Sequence, residues 1–500
     1  MSKNMDRHVQ LIVVGGGTAG MAAAIAGARL GLDTLVLEID NDIGGVPVQS
    51  LMGSFANLFV NLDGKPLVGS IPLEILRRMV DTGELIYDDL QQAVHGKIGQ
   101  PFTIPFQPET YLHVIKQMAQ EAGVRILCNT HVVAVHKTGE RVDEAVCKRG
   151  HATFVCTADM WIDATGDASF AFIAGAPCKA QEDSSFGQLM RIGGVNIQRY
   201  LDWLDTARPW EPDPEFITWL SHYTDLTIEQ LYASRLWRKL VDPIYYGHAP
   251  MLSPDDITFT PRKLSYLHER WQAEGLIYTA EMCWLRRPLM KAVTQGDFSM
   301  DRSIPGGGRI TFNNDGFAYG AWGEGVALCN VAQPYQLDAC QPAQWEIAQK
   351  QATKYNQEAF LFFKNYVPGF EDAFLLDIAP RAVSRFPRMI CGIKSVRPEQ
   401  VNGTPTNIPD AVYLFGGGNA FKPGFGIPYG MLVPKNLTNV LAAGKCASGA
   451  RYCRSQVSCM SMGVAAGAAA RLALKLQCDV RELPVSVLQN LLKQELGVLL

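Results

Sequence analysis

Apolar positions fall into short runs and longer helix-spaced stretches that alternate near both ends of the chain. Val9, Leu11, Ile12, Val13 and Val14 make a run short enough for a buried strand, and residues 21–30 are Ala-rich and helix-favouring. A second apolar run, Thr34-Leu35-Val36-Leu37, follows Gly31 and ends in Glu38. Further on, the pattern predicts a helix over 109–122, a strand over 124–128 and another over 131–135. This last strand is expected to pair with 143–147 and 153–157 as a meander. Shorter helical patterns lie at 72–80 and 84–92. Trp161-Ile162-Asp163-Ala164 reads as a strand and 168–175 as a helix. Residues 439–444 form a buried strand, and 458–475 an almost unbroken helix of Ala, Gly and Ser. The alternation predicts an α/β fold.

The turns between these elements carry the first chemistry. Gly15-Gly16-Gly17-Thr18-Ala19-Gly20 supplies G-x-G-x-x-G between strand and helix. Gly15 permits the tight turn, Gly17 lets backbone approach a pyrophosphate, and Gly20 lets helix and strand pack. The free N–H groups of the helix start then face the phosphates. Glu38 lies where a carboxylate can accept from a ribose diol. Gly44 and Gly45 would let the chain turn back across a cofactor without an intervening side chain. A second glycine turn at 416–418 is a poor nucleotide motif, because Pro423 forbids a Rossmann helix after it.

Length and composition narrow the class. Five hundred residues exceed one ordinary core, so two domains are expected. A net charge of −4 argues against nucleic acid as the partner, and no uncharged apolar run suggests a membrane span. The polar opening before the first strand reads as lacking a signal peptide. Twelve cysteines without a C-x-x-C pair fit reduced thiols in a cytoplasmic protein. Cys446, Cys453 and Cys459 match no iron–sulfur spacing and read as packing thiols. His113, His131 and His136 lack metal-ligand spacing, so no metal is expected. From about 181 to 407 the character changes. Trp203, Trp210, Trp219, Trp237, Trp271 and Trp284 crowd this stretch, which looks like an inserted domain or cap. Arg381, Arg385, Arg388, Lys394 and Arg397 follow as a basic cluster, which reads either as a solvated face or as a site for an anionic group of substrate or cofactor.

Ile162-Asp163-Ala164-Thr165-Gly166-Asp167 and Ile427-Pro428-Tyr429, followed by Leu432-Val433-Pro434, carry a resemblance. So do Asn439 to Cys446, Arg454, Cys459, and Gly463-Val464-Ala465-Ala466-Gly467. Together with Arg385 and Arg388, these resemble FAD-dependent oxidoreductases of the glutathione-reductase-like superfamily. Within it the chain is similar to a bacterial group with I-D-A-T-G-D and I-P-Y…L-V-P…N-L-L-V-A-G-R-C segments. Three positions depart from that pattern: Val457 replaces Pro, Phe386 replaces Glu, and Lys445 replaces Arg.

The resemblance implies a glutathione-reductase-like FAD-binding fold (Rossmann-type ββα) with an inserted α+β substrate or cap domain. The FAD domain would be discontinuous, over 1–60, 105–190 and 408–480. Residues 61–104 and 191–407 would form the cap, and 481–500 a C-terminal helix. Non-covalent FAD is implied, with candidate contacts at Gly15, Gly17, Thr18, Ala19, Gly20, Glu38, Gly44, Gly45, Val133, Thr165, Gly166, Asp167, Gly444 and Gly463. The last helix, starting near 458–463, would face the flavin's N1–C2 edge with its positive dipole end. Arg385, Arg388, Arg454 and Tyr429 are the catalytic candidates: arginines for a carboxylate or developing anion, tyrosine as a donor to a substrate oxygen.

The expected activity moves a hydride between a small organic substrate and flavin, which oxygen or another acceptor reoxidises. Flavin-dependent hydroxylation with NAD(P)H and oxygen, reduction of a polarised double bond as in fumarate-reductase-like relatives, and a non-catalytic electron relay are the alternatives. Homo-oligomerisation is compatible with this reading.

Overall fold

A computed structural model describes residues 7–55, 68–83, 104–180, 184–206, 227, 229–230, 286–299, 309–313, 325–334, 336–396, 408–415 and 425–500. Trp210, Trp219, Trp237, Trp271, Trp284, Arg397, Pro423, the 84–92 helical pattern and the 416–418 turn lie outside those residues.

Strand β1 (Arg7–Val14) leads through the glycine turn into helix α1 (Thr18–Arg29), and β2 (Thr34–Leu37) returns beside β1. The pairing is parallel, with Leu11 opposite Thr34 and Val14 opposite Leu37. Helices α2 (Ser70–Asp81) and α3 (Pro108–Glu121) then pack on each other and on α1, and β3 (Arg125–Leu127) adds to β2. The meander follows as β4 (His131–Thr138), β5 (Arg141–Arg149) and β6 (Ala152–Asp163). Where the pattern suggested two strands, β6 is one. Its first half pairs with β5, while its second half lies parallel to β1.

At that fork β6 needs a new neighbour on its other edge. Late in the chain β14 (Val440–Ala442) supplies it, pairing parallel to the last three residues of β6. Asn439 fills the wedge between the diverging strands. Its side chain donates to the carbonyls of Val142 and Asp159 and accepts from the amide of Val142. Backbone groups that a diverging ladder would leave unpaired are thereby satisfied. A Rossmann-like parallel sheet, ordered β3-β2-β1-β6-β14, results in a mixed α/β fold.

After the short helix α4 (Ser169–Ile173), a second sheet begins. It is antiparallel, ordered β8 (Arg309–Asn313), β9 (Ala327–Gln333), β7 (Phe186–Gly193) and β10 (Phe374–Ile378). The long helix α5 (Pro342–Tyr366) packs on β7 and β9, and the two-residue β11 (Val383–Ser384) pairs with β7. The expected boundary at 190 therefore falls inside β7. Near the C-terminus β12 (Ala411–Phe415) and β13 (Phe425–Pro428) form a hairpin. Helix α7 (Val485–Gln494) buries Leu488 and Leu492 beside α6 (Gln456–Leu476).

Helix α6 is the centre of the core. It is long and apolar enough to cross a membrane by composition, yet it is mostly buried, lying against α1. The contact is backbone on backbone. A Cβ at Gly463 would lie 2.1 Å from the carbonyl oxygen of Ala19, and one at Gly467 2.4 Å from that of Ala23. Gly463→Ala is therefore expected to force the helices apart and cost roughly 1–3 kcal/mol, the usual cost of overpacking. Thermal unfolding measures it. An unchanged midpoint would show that the helices separate freely.

Candidate functional site

A cavity of about 650 Å³ opens between the two sheets. Its floor is the glycine turn. Gly15 adopts φ +103°, where a Cβ would meet the carbonyl oxygen of Ala164 at 2.4 Å, so only glycine fits. Gly17 differs: it precedes α1, and an added Cβ would meet nothing nearer than the Cα of Gly45 at 3.7 Å. Gly45, at φ +59°, closes over Gly17 so tightly that its own Cβ would lie 2.7 Å from that residue's Cα. Two facing glycines leave the first turn of α1 open to an anion, which its free N–H groups and dipole favour.

Glu38 stands at the end of β2, buried but bordering the cavity. Its carboxylate accepts from the amides of Gly16 and Asp40. Burial pushes its pKa up, against those two N–H donors. Beyond it, Ile39 and Ile173 line the cavity although 49% and 41% exposed. Wetted apolar walls beside a buried acid suit a flat heterocycle. With the open phosphate cradle, they fit a dinucleotide such as FAD.

The Ile162–Asp167 segment owes its shape to Asp163. This fully buried carboxylate accepts from the amides of Thr165 and Ala171 and from the Thr165 hydroxyl, at 2.7–3.0 Å. The Cys446 thiol donates to it at 3.4 Å and accepts from the amides of Gly166 and Ala168. Burial, then the neighbouring Asp163, keeps that thiol well above its ordinary pKa. Cys446 is thus more than a packing thiol, since it ties the segment after β14 to the turn after β6.

On the opposite side, α6 begins at Gln456 and not near 458. Ser455 is its cap, accepting from the Ser458 amide at 3.3 Å, and both Ser455 and Gln456 border the cavity. Ser458 itself is 2% exposed and turned inward. Gly444 sits beside Ala19 and Cys459, where a side chain would clash with Ala19. Lys445 reaches back to donate to the Ser384 carbonyl at 2.8 Å. Burial and then Arg454 depress its pKa. Arg454 falls to about 9, through burial and then Arg385.

Of the expected cofactor contacts, Gly15, Gly17, Thr18, Ala19, Glu38, Gly45, Thr165, Gly166, Asp167 and Gly444 border the cavity. Four do not. Gly20 packs against the Gly15 carbonyl and Gly463 against Ala19, so both serve helix packing. Gly44 makes the turn beneath Val48. Val133 is half exposed, and its neighbours His131 and Val132 line the cavity instead, where the pairing with β5 shifts register.

Among the catalytic candidates, Arg385 and Arg454 reach the cavity. Arg388 stays outside, donating to the Asp167 carbonyl at 3.1 Å and lying over the Phe172 ring at 4.0 Å. Tyr429 is fully enclosed, and its hydroxyl donates to the Val480 carbonyl at 2.8 Å. It cannot serve a substrate oxygen. Asn330 on β9 and Trp345 on α5 also line the cavity and had no sequence signal, because ordinary strand and helix positions surround them. Phe386, the departure from Glu, carries Arg454 at 4.5 Å and Arg451 at 4.9 Å on its ring. Both contacts are of the cation–π kind.

The 3-hydroxybenzoate 6-hydroxylase of Klebsiella oxytoca is 25% identical over 146 residues, covering 28% of this chain and 36% of that protein. The matched stretch thus spans about a third of that relative's length. A geranylgeranyl bacteriochlorophyll reductase-like structure from Thermoplasma acidophilum aligns with TM-score 0.44 and 13% identity, over 98% of this chain and 84% of its own. The p-nitrophenol 4-monooxygenase of Pseudomonas putida gives 0.41 and 10%, over 96% and 84%. Residues 10–492 match the model of the FAD-dependent oxidoreductase family, and the chain belongs to that family.

Proposed function

We propose that the enzyme moves a hydride between a small organic substrate and non-covalently held FAD, within a glutathione-reductase-like arrangement. In this reading the segments 1–60, 105 to the start of β7 and 408–480 bind the cofactor, and the second sheet with α5 covers it. The observation that carries it is the continuity of one cavity from the glycine turn to β7, β9 and α5. A substrate entering beneath the second sheet meets the cofactor where α6 begins. Bound FAD supplies the acceptor for the hydride's electron pair. The chain supplies placement: the start of α1 holds phosphate, Gly444 leaves room beside Ala19, and Ser384, Asn330 and Trp345 bound the substrate side.

Anaerobic mixing of the holoenzyme with candidate alcohols, amines and acids tests this. Bleaching of the flavin absorption by one of them is the expected result. Bleaching by NAD(P)H alone, with organic substrates inert until oxygen is admitted, supports hydroxylation instead. The partial likeness to 3-hydroxybenzoate 6-hydroxylase favours that second reading.

A further inference from the structure

We infer that Arg381 is a clasp across the mouth of the cavity, so that FAD enters and leaves only while its pair with Asp40 is open. The inference rests on FAD occupying this cavity, and not on which way the hydride moves.

Arg381 sits on a segment fixed to the second sheet. The Ala379 amide donates to the Leu189 carbonyl on β7 at 2.9 Å, and the Gln188 side chain donates to the Ala379 carbonyl at 2.7 Å. The Ala382 amide donates to the Gln349 side chain on α5 at 2.7 Å, and β11 follows, paired with β7. From this segment Arg381 reaches the first sheet's side of the cavity twice. Its amide donates to the Gln49 carbonyl at 3.2 Å, and its guanidinium donates to the two Asp40 carboxylate oxygens at 2.7 and 2.9 Å. Asp40 is itself anchored just after β2. Its amide donates to the Glu38 carboxylate and its carbonyl accepts from the Asn129 amide, each at 2.8 Å.

Location makes this crossing a clasp. Asp40, Gln49, Arg381 and Trp345 all line the cavity, and the guanidinium lies 5.8 Å from the centre of the Trp345 ring. The Asp40 and Arg381 side chains are also 24% and 43% exposed, while Glu38 beside them is 5% exposed. Groups that face both cavity and solvent stand at its mouth. An ion pair so exposed is weak, which suits a contact that must break at each exchange of cofactor. A second crossing provides the comparison. Arg191 on β7 donates to Glu109 on α3 at 2.9 Å, and neither residue lines the cavity.

The test follows FAD by flavin fluorescence, reading release on dilution of holoenzyme and entry on mixing apoprotein with FAD. Arg381→Gln and Asp40→Asn are each expected to speed release and entry alike, about fivefold, the scale of an exposed ion pair. Entry should quicken in Arg381→Gln even though a charge attractive to the cofactor is lost. The double variant is expected to match either single one, because one interaction is removed. Glu109→Gln is expected to exchange FAD as the parent does. Raising salt from about 0.02 to about 0.5 M should speed both directions in the parent, whereas screening of the cofactor's phosphates alone would slow entry.

Unchanged exchange in Arg381→Gln overturns the inference. So does faster release without faster entry, the mark of a lost contact with bound FAD. Faster release in Arg381→Gln but not in Asp40→Asn assigns the arginine to the cofactor, and equal acceleration in Glu109→Gln assigns the effect to general loosening. Either result overturns the clasp. If the variants fail to fold, the salt response of the parent decides alone. None of these measurements needs turnover. FAD held outside the cavity would leave Gly17→Val with parent affinity, whereas failure of the clasp alone would not.

Discussion

Replacing Gly17 with valine is expected to abolish useful FAD binding while the protein still folds. Gly17 has φ −74°, which valine accepts, and an added Cβ would make only an ordinary contact with the Cα of Gly45 at 3.7 Å. The branched side chain would fill the approach of the phosphates to the first turn of α1. Losing one or two charge-assisted hydrogen bonds, at about 1.5–3 kcal/mol each, weakens FAD by about a hundredfold. Fluorescence titration of apoprotein with FAD measures it, and circular dichroism checks the fold. Gly20→Val is the contrasting control. Its Cβ would sit 1.8 Å from the Gly15 carbonyl oxygen, so folding itself is expected to fail. Parent-like FAD affinity in Gly17→Val would place the phosphates elsewhere.

Ser455→Asp is expected to lower the flavin's reduction potential with FAD still bound. Aspartate is as good a cap as serine, so α6 keeps its start. The added carboxylate borders the cavity at the point where the helix dipole presents its positive end. Electrons arriving on the cofactor then meet a negative charge. At an effective dielectric near 20 and about 5 Å, that is about 3 kcal/mol, or roughly 30–70 mV for a two-electron couple after partial screening. A spectroscopic redox titration beside the parent reads the shift. Ser458→Asp, one turn further in, is expected to destabilise the fold instead, because Ser458 is enclosed. An unchanged potential in Ser455→Asp would remove α6 from the flavin's side.

Much of the dinucleotide site is local in sequence. Gly15 to Gly20 and Glu38 lie within one strand–turn–helix–strand unit, where neighbouring residues decide the backbone. The 458–475 pattern likewise announced a core helix, because its small residues persist through successive turns. Its start was missed by two residues: Gln456 and Val457 carry no cap signal, and the serine at 455 had to be chosen by geometry. Val133 was misplaced for a comparable reason. Alternation assumes a regular ladder, but the pairing of β4 with β5 shifts register between Val132 and Ala134, and no local pattern announces that irregularity.

The sequence by itself determined the glycine turn, the acid that follows β2, the core helices and the alternation of strand and helix. Those follow from backbone sterics and apolar periodicity within short spans of chain. Only the tertiary structure decided which late residues serve the site. Tyr429 is taken by a carbonyl 51 positions away, while Cys446 reaches back 283 residues to Asp163. Arg454 gains its surroundings from Phe386 and Arg385, which arrive on a different segment of chain. A side chain's charge state and partners depend on what is folded against it, and no local pattern carries that.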